Sequence, residues 1–239
     1  MKVTGQSNIG LVRRDNQDAF VTGTLSDTVA FAVVCDGMGG ASGGSVASEL
    51  AIRRVADRLG QLNPDTLTAE SVSYVLESAI AAANIDIYDK AQECPELAGM
   101  GTTIVAAVGL EHSVCVAHVG DSRAYLITKD KMTQITKDHS VVQRMLEKGE
   151  ITEDEAKHHP RKNFITRALG VEETVQSDYI ELEWQTGDRL MLCTDGLTNM
   201  LEEPELERLA REETADERLM EAALAAGGSD NITVCFMEY

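Results

Sequence analysis

Residues 103–128, TIVAAVGLEHSVCVAHVGDSRAYLIT, hold three short runs rich in Val, Ile, Leu and Thr: Thr103–Val108, Ser113–Val119 and Arg123–Thr128. Runs this short and this β-branched predict strands. Four residues separate the first pair and three the second. Connections so short leave room only for antiparallel neighbours, since a parallel crossover needs a dozen residues or more. Outward from this meander, Ala30–Cys35, Arg189–Cys193 and Ile232–Met237 read as further strands. Helical spacing appears in Ala47, Ala51, Val55 and Leu59, and again in Val72, Val75, Leu76, Ala79, Ile80, Ala83 and Ile87, so each of these helices has one buried face. Thr214-Ala215-Asp216-Glu217 has the form of a capping box and opens a helix through Leu219, Ala222, Ala223 and Ala226 that Gly227-Gly228 closes. Strands, two long helices, more strands, a helix and a last strand describe a mixed, layered α+β domain rather than a strict strand-helix alternation.

The 239 residues suffice for a sizeable core without a disulfide or structural metal. No linker or fixed-period repeat divides them, so one domain over residues 1–239 is expected, with a polar insertion at about 140–170. That insertion carries two short helical patterns, Val141–Lys148 and a capping-box start at Thr152-Glu153-Asp154-Glu155. The formal charge of −19 repels nucleic-acid phosphates and anionic membrane surfaces. No apolar stretch approaches the ~20 residues of a membrane span, and Met1–Asn8 lacks the apolar core of a signal peptide, so a cytoplasmic protein is expected. The five cysteines form no C-x-x-C pair, and four of them, Cys35, Cys115, Cys193 and Cys235, sit in strand-like runs, as reduced, buried thiols do.

The chemistry is in the carboxylates. Val33-Val34-Cys35-Asp36-Gly37 and Leu192-Cys193-Thr194-Asp195-Gly196 each place an aspartate where an apolar strand stops. Asp121 follows a strand in the same way, and Asp230 precedes the last one. A single Asp-Gly is ordinary turn chemistry, but four aspartates at strand ends predict a cluster. Clustered carboxylates repel unless protonated or bridged by a cation. Oxygen-only ligands suit Mg²⁺ or Mn²⁺ and leave zinc without its usual partners. The EF-hand loop pattern is absent. The glycine-rich stretch Asp36-Gly37-Met38-Gly39-Gly40-Ala41-Ser42-Gly43-Gly44 lacks the G-K-[ST] ending of a P-loop, and its glycines fit a loop crossing closely over a metal site.

Asp36-Gly37-Met38-Gly39-Gly40, Gly101-Thr102-Thr103, Val119-Gly120-Asp121-Ser122-Arg123, Thr194-Asp195-Gly196-Leu197 and Asp230-Asn231-Ile232-Thr233, with Arg13-Arg14-Asp15-Asn16-Gln17-Asp18 upstream, run in order along the chain. In this the sequence resembles the PPM (type 2C) metal-dependent protein phosphatases in their compact bacterial form, over essentially its whole length. The resemblance implies a four-layer α-β-β-α sandwich of two antiparallel sheets flanked by helices. It implies hydrolysis of phosphoserine and phosphothreonine in proteins by a hydroxide held between two Mn²⁺ or Mg²⁺ ions. By position, Asp36 matches the acid bridging both ions, with the Gly37 carbonyl as a further ligand. Asp195 and Asp230 match the other carboxylates of the first ion, and Asp18 the acid that holds the second. Asp121 matches the residue that, with Asp195, holds a third, weaker ion. Arg13 matches the arginine that grips the substrate phosphate.

Two positions depart from the broader family pattern. Gln17 stands where many members have Glu, replacing a carboxylate ligand of the second ion by an amide. Met38 stands where eukaryotic members carry a histidine acid; bacterial relatives commonly have Met there as well. The imidazoles available instead are His118, His139, His158 and His159; His118 reads as core, and His159 before Pro160 fits the flap-like insertion. Competing readings are a pseudophosphatase that binds phosphoproteins, disfavoured because every strand-end aspartate is present, and a phosphatase of small phosphate esters, because fold and metals do not fix the substrate. The expected partners are phosphorylated proteins and their Ser/Thr kinases. No leftover stripe or heptad marks an interface, so a monomer is expected. The motifs nearly reach both ends of the sequence, and no fused sensory domain is expected.

Overall fold

Two antiparallel sheets stack face to face in the computed structural model, which describes residues 1–40 and 43–239; Ala41 and Ser42, inside the glycine-rich stretch, lie outside the described residues. The first sheet has the order β1 (Lys2–Asn8), β11 (Ile232–Glu238), β10 (Arg189–Cys193), β7 (Arg123–Ile127) and β8 (Met132–Gln134). The second has the order β2 (Asp18–Ser26), β3 (Val29–Met38), β5 (Ile104–Gly109), β6 (Ser113–Val119) and β9 (Asp178–Glu183), with the two-residue β4 (Gly101–Thr102) paired to the end of β3. Helices α1 (Gly43–Leu59) and α2 (Ala69–Glu93) cover the second sheet. Helices α5 (Asp195–Thr198), α6 (Glu203–Ala210) and α7 (Ala215–Ala225) cover the first. Helices α3 (Val141–Glu147) and α4 (Glu153–Lys157) form the insertion between β8 and β9.

Strand β3 shows how the sequence builds four layers. Val29, Phe31, Val33 and Cys35 face α1 and α2, packing with Ala47, Ala51, Val55, Leu59, Leu76 and Ile80. Ala30, Ala32 and Val34 face the other sheet, meeting Leu190, Leu192, Cys235 and Met237 across the sandwich. Both faces are buried, so the strand reads as an unbroken apolar run instead of an alternating one. On the far side, Met191, Cys193, Val234 and Phe236 pack under Leu206, Leu209, Leu219 and Met220. Each fully buried side chain of this size contributes roughly 1.5–3 kcal/mol of transfer free energy. Among the described residues no helix is long and apolar enough to cross a membrane.

Two expectations need correction. Strands β5 and β6 are antiparallel neighbours, but β6 and β7 are not: β6 lies in the second sheet and β7 in the first. Gly120, with φ +107°, carries the chain across the sandwich in three residues. A short link therefore joins the two layers instead of closing a hairpin. At α7, Thr214 makes no side-chain capping bond. The box does form at α4, where Thr152 and Glu155 cap each other, and Ser140 caps α3 through the Gln143 N–H.

One buried polar residue ties the helical layer to the segment after the insertion. Asn84, on the buried face of α2, accepts from the Gly170 N–H at 2.8 Å and donates to the carbonyls of Glu172 and Glu173, each at 3.0 Å. Asn84→Leu keeps the branched four-atom side chain but strands the Gly170 N–H, so it should cost about 2–3 kcal/mol. Urea unfolding of the variant measures this; a change within ~0.5 kcal/mol would show that the bonds contribute nothing net.

Candidate active site

All the aspartates singled out in the sequence come to one end of the sandwich. Asp18 opens β2 and pairs in register with Asp36 near the end of β3. Asp121 sits in the link that crosses from β6 to β7, Asp195 begins α5 directly after β10, and Asp230 lies in the turn before β11. Both sheets contribute, and the charges converge on Asp36, which feels Asp18, Asp195, Asp121 and Asp230. The Asp36 and Asp195 carboxyl groups are within hydrogen-bonding reach of each other. Beside them the Gly37 N–H donates to the Gln17 carbonyl at 3.1 Å, and a Cβ on Gly37 would collide with the carbonyls of Gly44 and Gln17. That close approach requires glycine at position 37.

Crowding sets the electrostatics. Burial first, then its four carboxylate neighbours, push Asp36 well above the usual carboxylate range. Burial, offset in part by bonds from Thr233 and Thr194, raises Asp18 to about 7. Burial and then Asp195 and Asp138 raise Asp121 to about 8. Burial and Asp230 raise Asp195, while its bond with Asp36 pulls the other way. Asp18 Oδ2 accepts from Thr194 at 2.9 Å and Thr233 at 2.7 Å, and its buried Oδ1 has no partner among the described residues. Oxygen-only donors, mutual repulsion and an orphaned carboxylate oxygen fit hard divalent cations.

The residues that hold this cluster in place were not read from the sequence. Asn231 accepts from the Gln17 N–H at 2.8 Å and donates to the carbonyls of Ile9 at 2.9 Å and Asp15 at 3.0 Å. It pins both ends of the turn that carries Arg13. Thr103 Oγ1 accepts from the Asp36 N–H at 2.9 Å, and Thr102 Oγ1 donates to the Asp36 carbonyl at 2.9 Å. The only sequence signal was position inside the quoted motifs, because short polar residues beside a strand are common for many reasons.

Arg13 is half exposed and donates one bond, from Nη2 to Asp230 Oδ2 at 2.7 Å. Arg123 is occupied differently: Asp138 holds its guanidinium by three bonds of 2.7 to 3.1 Å, and Tyr125 accepts a fourth at 3.2 Å. The Gln17 amide turns to the glycine-rich loop, donating to the Gly40 carbonyl at 3.1 Å. His118 and His139 stack in the interior behind Gly120, where burial lowers both, His118 to about 4. On the insertion His158 is exposed and His159 half-buried, and neither is among the described residues that line the cleft beneath it. That cleft, of about 430 Å³, runs from Asp121 and Asp195 to Lys162 and Asn163.

Comparison with known proteins places these features in one family. Residues 10–226 match protein phosphatase 2C. The chain is 42% identical over 233 residues to the serine/threonine phosphatase stp of Listeria innocua, covering 96% of this chain and 92% of that protein. The crystal structure of the Staphylococcus aureus serine/threonine phosphatase Stp1 superposes with a TM-score of 0.93 at 34% identity, covering 100% of this chain and 94% of that one. The catalytic domain of the phosphatase PstP, solved with two manganese ions, superposes with a TM-score of 0.87 at 34% identity, covering 99% of this chain and 97% of that one. With two antiparallel sheets between helical layers and a match over nearly its whole length, the chain belongs to the protein phosphatase 2C family.

Proposed function

We infer that this chain is a Mn²⁺- or Mg²⁺-dependent phosphatase that hydrolyses phosphoserine and phosphothreonine in proteins. The observation that carries the reading is the convergence of Asp18, Asp36, Asp121, Asp195 and Asp230, uncompensated among themselves, next to the half-exposed guanidinium of Arg13. Asp36, with the Gly37 carbonyl, would be shared by two such ions; Asp195 and Asp230 would help hold the first, Asp18 the second, and Asp121 with Asp195 a third, weaker one. Bound there, divalent ions supply a hydroxide near neutral pH and neutralise charge on the phosphate.

The chain itself binds and orients. Among the described residues Arg13 is tied by a single bond, to Asp230, so its planar fork can turn from Asp230 to two phosphate oxygens. The net charge of −19 opposes an anionic substrate, and local cations at Arg13, Arg14 and, on the insertion, Arg161 and Lys162 offset it. The insertion at 140–170 acts as a flap over the cleft, within a single domain. The protein works as a monomer in the cytoplasm, without nucleic acid or membrane, on the products of Ser/Thr kinases. Retention of all five aspartates favours an enzyme over a pseudophosphatase.

The test is hydrolysis of a phosphothreonine peptide by purified, metal-stripped protein titrated with Mn²⁺ and Mg²⁺. Turnover should appear only with metal. Arg13→Ala should lower kcat/KM by about 10²-fold, the scale of losing one preorganised donor to a developing charge. Folded protein silent on the peptide at every metal concentration, yet active on a small phosphate ester, would reassign the substrate; silence on both would sink the enzyme reading.

A further inference from the structure

We propose that His139 is a positioning residue for Asp121, acting through the backbone of Gly120; the inference rests on the reading of Asp121 as a metal ligand. The Gly120 N–H donates to His139 Nδ1 at 3.1 Å, and the His139 N–H donates to the Gly120 carbonyl at 2.9 Å. A single residue thus takes both backbone polar groups of the glycine immediately before Asp121. Gly120 needs such a hold: its φ of +107° is one that a residue with a side chain rarely adopts, and a Cβ there would meet Thr103 at 2.6 Å. On the other side of Asp121, Asp138 grips Arg123 through three bonds. Asp138-His139 therefore brackets Gly120-Asp121-Ser122-Arg123 from both ends.

The ring is built for this task. Accepting at Nδ1 leaves the imidazole proton on Nε2, which lies 3.4 Å from Asp178 Oδ2 and makes no hydrogen bond among the described residues. The ring is buried and stacks on His118 with centroids 4.7 Å apart. His118, His139 and Asp178 bring ligand-type atoms within 4.8 Å of one another, as a metal site would. Binding a cation through Nε2 would move the proton to Nδ1, facing the Gly120 N–H donor to donor. Arg167 already occupies Asp178 Oδ1 at 2.6 Å. The trio is arranged to hold Gly120, and a cation there would break that hold.

The test compares two variants of the full chain. His139→Leu keeps apolar bulk and loses the acceptor. His139→Asn places an amide oxygen where Nδ1 was, keeping the acceptor while losing the stack on His118 and the approach to Asp178. Isotope-edited NMR of the wild type should show a neutral Nε2–H imidazole, with the Gly120 amide shift moving in the Leu variant and little in the Asn variant. Calorimetric Mn²⁺ titration should show the weakest class of site losing about tenfold or more in affinity in His139→Leu, the scale of losing a residue that orients a ligand. The tighter classes should hold, and His139→Asn should stay near wild type. Equal loss in both variants would make His139 a packing residue and overturn the proposal, as would an Nδ1–H tautomer or an unaltered weakest class in His139→Leu. Wild-type protein that takes up no Mn²⁺ would sink the functional reading instead, leaving the tautomer and the Gly120 amide to decide the clamp.

Discussion

Asp36→Asn should abolish metal-dependent turnover, lowering kcat by about 10³-fold or more, while leaving the metal-free protein at least as stable as the wild type. Both effects come from one placement. Asp36 is the carboxyl on which four other aspartates act, and it stands where the second sheet faces Asp195 and Asp230 from the first. An amide there offers a cation one neutral oxygen and turns an N–H donor towards the rest of the cluster. Without metal the same amide relieves repulsion, because the wild-type carboxyl sits well above its usual range under burial and its neighbours' charge. Peptide hydrolysis under Mn²⁺ titration checks the first effect, and thermal unfolding in chelator checks the second. Wild-type turnover in the variant would end the assignment of Asp36. Loss of turnover together with a large drop in metal-free stability would mean a damaged fold.

How much of this was legible in the sequence depends on which side of a strand is buried. The runs that read as strands correspond to β3, β5, β6, β7, β10 and β11, of which all but β7 are enclosed almost throughout. The strands missed include all four sheet edges, β1, β8, β2 and β9, where half-buried Lys2–Asn8 has Val3 among polar residues and glycine, and Asp178–Glu183 interleaves acids with Tyr179, Ile180 and Leu182. The β6–β7 link misled for a related reason: chain length allows a tight turn, but it does not say whether the next strand pairs with the last or crosses to another layer. Strand-end aspartates were legible because a charge after an apolar run is a local signal. Asn231, Thr194, Thr233 and His139 were not, because their work is a bond to a distant segment. Asn231 reaches Gln17 across 214 positions and Thr194 reaches Asp18 across 176.

In metal-free protein, stability should fall as the pH rises through neutrality, and divalent metal should reverse that trend. Asp18 and Asp121 are raised from 3.8 to about 7 and about 8, so the folded state holds protons that the unfolded chain has already released above pH 4. Stabilisation from such groups is fully present below the unfolded value and is lost as the pH passes the folded one. His118, lowered from 6.5 to about 4 by burial, works in the opposite direction, since the unfolded chain binds its proton first; that contribution is complete by about 6.5. The window from about 6.5 to about 8 therefore isolates the carboxylates. Each retained proton costs up to about 1.4 kcal/mol per pH unit, so Tm in chelator should drop by roughly 5 °C or more across that window for a chain of this size. Saturating Mn²⁺ favours the ionised carboxylates only in the folded state, so the gap between metal-loaded and chelated Tm should widen with pH. Asp121→Asn should shrink the chelator slope towards its alkaline end, because that carboxyl is raised to about 8. A chelated Tm that is flat or rises between pH 6.5 and 8 would show that the aspartates are not crowded in the folded state, and the case for a cation among them would go with it.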